Sequence, residues 1–261
     1  MTSSNDFPTV LPFKMATDTD SEKQRYNTFW TKEPETINWI KHFPDDNVFI
    51  DIGANIGLYS LYNSHIHPKS FTVCIEPFLG NWFKLQNNVG LNAKGNILIA
   101  PAMALSDQNG FLPFFLSNGE PGSSGGQLSK PIDMHGNEFK IMGVHDCFTM
   151  KLDSLLQIPR ATPDGEKKFK MVKIEPTHIK IDVDGQENLI LEGFDIAACP
   201  SLVSMLVEFN DDVAQKAYTD RLKAAGLTNN NDFNSFQPHS TTRRKESEIK
   251  SRNVIFTRES K

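Results

Sequence analysis

The chain has 261 residues, 38% of them hydrophobic and 23% charged, with a net charge of −5, which suits one sizeable α/β domain and is short for two. No apolar run reaches the ~20 residues of a membrane span, because Asp51, Gly53 and Asn55 break the best candidate, and no basic flank with an apolar core opens the chain as a secretory signal would. The acidic balance argues against a nucleic-acid partner, and Cys74, Cys147 and Cys199, odd in number and far apart, make neither a disulfide framework nor a zinc site, so a reducing cytoplasm is the expected compartment.

Residues 1–20, rich in Ser, Thr and Asp, read as a flexible arm, and residues 21–261 as a single domain. Thr31-Lys-Glu-Pro-Glu-Thr36 starts a helix with Pro34 in its first turn, and Ile37, Ile40 and Phe43, with Trp39 beside them, give it a buried face. Val48–Ile52 is the first strand, followed by a glycine turn and a helix over Ile56–Ile66. Phe71–Ile75 is the second strand, Leu79–Leu91 a helix, and Ile97–Ala100 the third strand. Such alternation predicts parallel strands with crossover helices on both faces.

The rhythm breaks after Asp107. Residues 108–170 read as an insertion, a lid or substrate-binding region, with β-like runs at Phe111–Leu116 and Phe139–Val144 and a glycine-rich tip at Gly119–Gly126. Met150–Leu156 restores order before the polar loop Pro159–Lys170. The fourth strand runs from His178 to Asp182 and the next helix from Gln186 to Leu191, closed by Gly193. The fifth strand is Leu202–Phe209, then comes a helix over Asp211–Ala225. Phe233–Gln237 and Val254–Thr257 follow without an intervening helix, hence as antiparallel neighbours. Arg243-Arg244-Lys245 reads as a solvated loop.

The segment Val48-Phe-Ile-Asp-Ile-Gly-Ala-Asn-Ile-Gly57 carries the functional signal. Strand, glycine turn and helix bring backbone N–H groups against a polar ligand. The apolar run Val73-Cys-Ile then ends in Glu76, at the tip of the next strand, where a Rossmann-like fold grips ribose hydroxyls. The spacing Gly53-x-x-x-Gly57 is not the G-x-G-x-x-G of a nicotinamide site, which disfavours a nucleotide-dependent oxidoreductase. S-adenosylmethionine (SAM) fits better, since its amino acid end and its ribose both need hydrogen-bonding partners.

Three blocks, VFIDIGANIGLYS (Val48–Ser60), IEPFLGNWFKLQNNVGLN (Ile75–Asn92) and HIKIDVDGQENLILEG (His178–Gly193), resemble the FkbM family of SAM-dependent methyltransferases. Lesser echoes are Ala104–Asp107, Leu152–Leu155, Leu206–Phe209 and Asn253–Phe256. The resemblance implies a Rossmann-like class I methyltransferase fold with seven strands in the order 3-2-1-4-5-7-6, strand 7 antiparallel. It also implies SAM as cofactor and O-methylation of a hydroxyl on a sugar, glycan or small natural product. Asp184 stands where the family usually has Glu, and the long 108–170 region leaves the acceptor unassigned.

Asp51, Gly53, Ala54, Asn55 and Gly57 are the candidate cradle for the methionine end, and Glu76 the acceptor for both ribose hydroxyls. Pro77 and Phe78 would shape the adjacent wall, with Ser106 and Asp107 meeting the adenine. Asp182 is the candidate general base, with Glu208 and His145 as further candidates. Asp182 and Asp184 could instead hold a magnesium ion that acidifies the hydroxyl, although Glu187 and Lys180 have plain structural readings as a helix N-terminal acid and a neighbour's ion-pair partner. His178 lies at the wrong end of its strand for catalysis. A non-catalytic SAM-binding module and a nucleic-acid methyltransferase are the rival readings; a homo-oligomer stays open.

Overall fold

The computed structural model describes residues 10–163, 169–209, 212–234 and 252–258. In chain order the elements are α1 (Asp20–Lys32), α2 (Pro34–Lys41), β1 (Val48–Ile52), α3 (Leu58–Ile66), β2 (Phe71–Ile75), α4 (Leu79–Leu91) and β3 (Ile97–Ile99). There follow β4 (Met103–Leu105), β5 (Gly110–Leu116), β6 (Gln127–Leu128), β7 (Gly143–Met150), α5 (Leu152–Gln157), β8 (Arg160–Pro163) and β9 (Phe169–Val172). The chain ends with β10 (His178–Ile181), α6 (Glu187–Glu192), β11 (Ser204–Phe209), α7 (Asp212–Ala224), β12 (Leu227–Asn229), α8 (Asn231–Asn234) and β13 (Arg252–Arg258).

Seven strands form one sheet in the order β3-β2-β1-β10-β11-β13-β12. All neighbours up to β11 are parallel, and β13 runs antiparallel to both β11 and β12. Numbered along the chain within this sheet the order is 3-2-1-4-5-7-6, the Rossmann-like class I methyltransferase arrangement. The sixth strand differs from expectation in place: Gly226 ends α7 and Leu227–Asn229 pairs at once with β13, while Phe233 falls in α8. Residues 235–237 of the expected strand, and the basic run 243–245, lie outside the described residues.

Both faces of the sheet are buried, as a parallel sheet requires. Ile50, Ile52, Val73, Ile179, Ile181 and Val207 pack on the side of α5, α6 and α7. Phe49, Leu206 and Ile255 face α1, α2 and α3 through Phe29, Trp39, Ile40 and Leu61. Because side chains alternate along a strand, Asp51 shares the Phe49 face and not the Ile52 face.

Three local readings change. α1 forms a full helix over Asp20–Lys32, where no element was expected before the helix start at Thr31, and it is started by Thr19 and Glu22, whose side chains and backbone N–H groups reciprocate as a capping box. Upstream of it, Leu11 and Phe13 are buried against Phe29, and the Asn88 and Asn92 side chains hold the backbone of Ala16 and Lys14. The insertion is a second sheet, β4-β7-β5-β6, plus the β8–β9 hairpin. It shares the main core, since Met103, Leu105, Phe148 and Met150 pack with the sheet residues. Among the described residues no helix is long and apolar enough to cross a membrane, and the three cysteines are buried free thiols.

His178, at the N-terminal end of β10, stacks on Phe43 at 3.6 Å and bonds Ser204 Oγ at 2.7 Å through Nδ1. Burial pushes its imidazole down to about 3. The native state therefore holds it neutral, and that stabilisation is present above the unfolded value of ~6.5 and lost as pH falls toward 3. We expect stability to fall by roughly 1.4 kcal/mol per pH unit from this group across that window. Comparing urea midpoints from pH 7 to pH 4 for the wild type and His178→Phe checks it; an equally steep decline in the variant would contradict the assignment.

Candidate functional site

The site lies at the C-terminal tips of β1, β2, β10 and β11, where open α/β sheets bind ligands. It is a cleft with about 980 Å³ of non-atom space, part of it open solvent. A smaller cavity adjoins it between the glycine turn and α1.

The glycine turn is built by two close approaches. Gly53, at φ +79°, lies so near β10 that a Cβ would sit 1.9 Å from the Asp182 carbonyl oxygen. Gly57, at φ +93°, would press a Cβ 2.5 Å from Leu85 Cδ1; it packs α3 against α4 and does not line either cavity. Asn55 is left-handed at φ 50°, a conformation its short amide tolerates. Gly53→Ala is expected to cost more than ~2 kcal/mol, since the left-handed penalty alone is about 1–2 kcal/mol and the clash is with rigid backbone. An unchanged urea midpoint in that variant would contradict this geometry.

Glu76 follows β2 with its carboxylate 5% exposed and facing the cleft. Oε2 accepts from the Asn55 N–H at 2.8 Å and Oε1 from the Phe78 N–H at 2.9 Å. Oε2 keeps a further lone pair for a ligand, and Oε1 has only the long Asn81 contact beside its Phe78 bond. Burial pushes this carboxyl up to about 7, against the pull of those two N–H groups. Asn81, one turn into α4, braces the same carboxylate at 3.5 Å and accepts from the Gly122 N–H at 2.7 Å.

Gly53, Asn55, Glu76, Pro77 and Phe78 thus line the main cleft, and Ala54 lines the smaller cavity. Asp51 lines neither. Strand alternation turns it toward α3, where Oδ2 accepts from Ser60 Oγ at 2.6 Å. Ser106 and Asp107 are also displaced from the cleft: β3 ends at Ile99, and the chain then joins the small sheet, so Ser106 emerges beside Met150 and Gly193. Ala104 and Leu105 take that wall, with Phe114, Leu116 and Leu128 from the insertion. His145, on β7, lies against the Phe114 ring at 5.3 Å and not on the cleft.

Asp182, Asp184 and Glu208 all line the cleft. The β10–β11 register, with Ile181 opposite Val207, sets Asp182 and Glu208 on adjacent tips. Lys180, 1% exposed, donates to Asp182 Oδ2 at 2.6 Å and lies 5.2 Å from the Tyr59 ring centroid. Burial alone would raise Asp182, but the Lys180 charge, then that of Lys32, holds it well below the usual carboxylate range. Glu208 moves the other way: burial first, then the Asp182 charge, push it well above the usual carboxylate range, which favours its protonated form. Asp184 points elsewhere. Its Oδ2 accepts from the Gly125 N–H at 2.8 Å and its carbonyl accepts from Gln127 Nε2 at 2.7 Å, pinning the insertion's loop. Glu187 holds the Val183 and Gly185 N–H groups and so fixes the turn after β10.

The magnesium reading does not fit this arrangement. Lys180 already supplies the cation at Asp182, and Asp184 is engaged with the loop. Among the described residues no group of three or more His, Cys, Asp or Glu could hold a metal ion.

The tip of the insertion forms one wall. Ser123 O accepts from Asn55 Nδ2 at 2.8 Å and Asn81 Nδ2 at 3.2 Å, while Pro121 O accepts from Thr19 Oγ1 and Gly122 O from Arg25 Nε. Arg25 and Lys32 reach the cleft from α1. The Thr19-x-x-Glu22 pattern is the sequence signal that reveals this helix.

No protein-family model matches the chain. Methyltransferase sdnD of Sordaria araneosa is 26% identical over 166 residues, covering 60% of this chain and 63% of that protein. Methyltransferase 1 of Beauveria bassiana is 25% identical over 175 residues, covering 65% of this chain and 67% of that protein. The match thus spans slightly under two thirds of the first relative's length. A crystal structure of precorrin-6y C5,15-methyltransferase from Geobacter metallireducens aligns with a TM-score of 0.46 and 11% identity, covering 97% of this chain and all of that one.

Proposed function

We propose that the protein is a SAM-dependent methyltransferase of the FkbM kind that transfers a methyl group to a hydroxyl of a sugar, glycan or small natural product. The single observation that carries this reading is Glu76: a buried carboxylate at the β2 tip, fixed by the Asn55 and Phe78 N–H groups and facing the cleft beside the glycine turn. It suits the two hydroxyls of a ribose. Phe78, Ala104, Leu105 and Phe114 offer an apolar slot for the adenine. The names of the two fungal relatives support methyl transfer.

SAM supplies an electrophilic methyl group; the protein aligns the hydroxyl with it. With SAM bound, transfer of its methyl group from sulfur to the hydroxyl oxygen would leave that oxygen strongly acidic, so its proton needs an acceptor. Asp182, ionised and partly exposed, accepts the hydroxyl's hydrogen bond and then its proton. Its low proton affinity makes it a weak base for a neutral alcohol but an adequate one for that acidic oxygen. Protonated Glu208 beside it keeps a second negative charge out of the site.

The acidic net charge favours a small acceptor over nucleic acid. The test is a SAM-turnover screen over glycan precursors, lipids, small metabolites and RNA. Turnover to S-adenosylhomocysteine on a hydroxylated small molecule or glycan is the expected result. Salt-sensitive turnover on RNA alone would overturn the acceptor class, and SAM binding with no turnover on any arm would favour a non-catalytic module.

A further inference from the structure

Among the residues lining the main cleft, Arg25 and Lys32 are the cations, and both come from α1. Arg25, Thr28 and Lys32 are three and four residues apart, hence on one helix face, and together they line the smaller cavity opposite Gly53, Ala54 and Asn55. Lys32 is engaged by Glu33 at 2.8 Å. Arg25 has no carboxylate within 4.0 Å among the described residues; its Nε–H donates to the Gly122 carbonyl, which anchors the guanidinium between the loop and the glycine turn.

A half-buried guanidinium beside a cleft otherwise lined by Glu76, Asp182, Asp184 and Glu208 has one clear use. The ionised Asp182 disfavours an anion at the β10 tip, whereas a planar guanidinium matches a carboxylate in shape as well as charge. We propose that Arg25 binds the α-carboxylate of the cofactor's methionine end, holding it between α1 and the Gly53–Asn55 backbone. This rests on the SAM reading above. It makes α1 and the loop at Gly122 part of the cofactor site, because the same side chain would bridge loop and ligand.

The experiment is calorimetric titration of the full chain with SAM and with decarboxylated SAM, which keeps the sulfonium and the amine but lacks the carboxylate. A charged hydrogen bond is worth ~10- to 150-fold in affinity, so the wild type should prefer SAM by at least about tenfold. Arg25→Gln should lose most of that preference and bind decarboxylated SAM about as the wild type does. Arg25→Lys, which keeps charge without the fork, should fall between. An undiminished preference in a folded Arg25→Gln protein would overturn the assignment and leave the SAM reading intact. Equal losses for both ligands would also overturn it, pointing to a scaffold role through Gly122. Arg25 serving an anionic acceptor instead would leave SAM affinity untouched and raise only the acceptor's KM. Failure of the wild type to bind SAM at all would overturn the SAM reading itself.

Discussion

Glu76→Ala should weaken SAM binding by roughly 1.5–3 kcal/mol for each charged hydrogen bond lost, the largest single effect expected in the cofactor half of the cleft. The carboxyl sits at about 7 in the free protein, and two hydroxyl donors favour its ionised form. Affinity should therefore rise as pH increases through 7, and SAM binding near pH 6.5 should release a proton. Calorimetry in buffers of different ionisation enthalpy reads that proton directly. Glu76→Gln should weaken binding and abolish the proton release. Retention of both affinity and proton release in a folded Glu76→Gln protein would remove Glu76 from the site.

The second large effect concerns Asp182. Read from the sequence alone, Asp182→Asn folds, binds SAM and turns over about 10²–10⁴-fold more slowly. The Lys180 contact changes the first part. With Lys180 1% exposed and 2.6 Å away, neutralising Asp182 strands a buried ammonium, and breaking such a pair costs about 3–5 kcal/mol. The single variant should thus lose stability as well as turnover. Asp182→Asn combined with Lys180→Met separates the two, since removal of the stranded charge should recover part of the stability and none of the turnover. Urea denaturation beside a turnover assay reads both quantities. Turnover within about tenfold of wild type in either variant would contradict the role of Asp182 and shift attention to Glu208.

Most of the strand–helix alternation was legible because its physics is local. Leu79–Leu91 has the apolar spacing of a helix and forms one over those residues; Val48–Ile52 is apolar on both faces and becomes a central strand. Glu76 was legible for the same reason, as an acid ending an apolar run. The misreadings share a different cause. Asp51 looks like a ligand by position, but alternation turns its carboxylate under the sheet toward Ser60. Ser106 and Asp107 follow a strand, yet one that belongs to the small sheet, and nothing local distinguishes the two sheets. Lys180 was legible only as the ion-pair partner of some neighbour, and the opposite proton affinities of Asp182 and Glu208 depend on the register between β10 and β11. α1 was hidden by its polar composition, although its capping box was in plain view.

The central claim is that the cleft at the tips of β1, β2 and β10 is a SAM site. Calorimetric titration of the wild-type protein with S-adenosylhomocysteine, set beside NAD as a second adenosine-containing ligand, tests it most directly. The account predicts saturable one-to-one binding of S-adenosylhomocysteine, weakened in Glu76→Ala, with no heat from NAD. Binding of NAD in preference to S-adenosylhomocysteine, or no binding of S-adenosylhomocysteine to the folded protein, would contradict it.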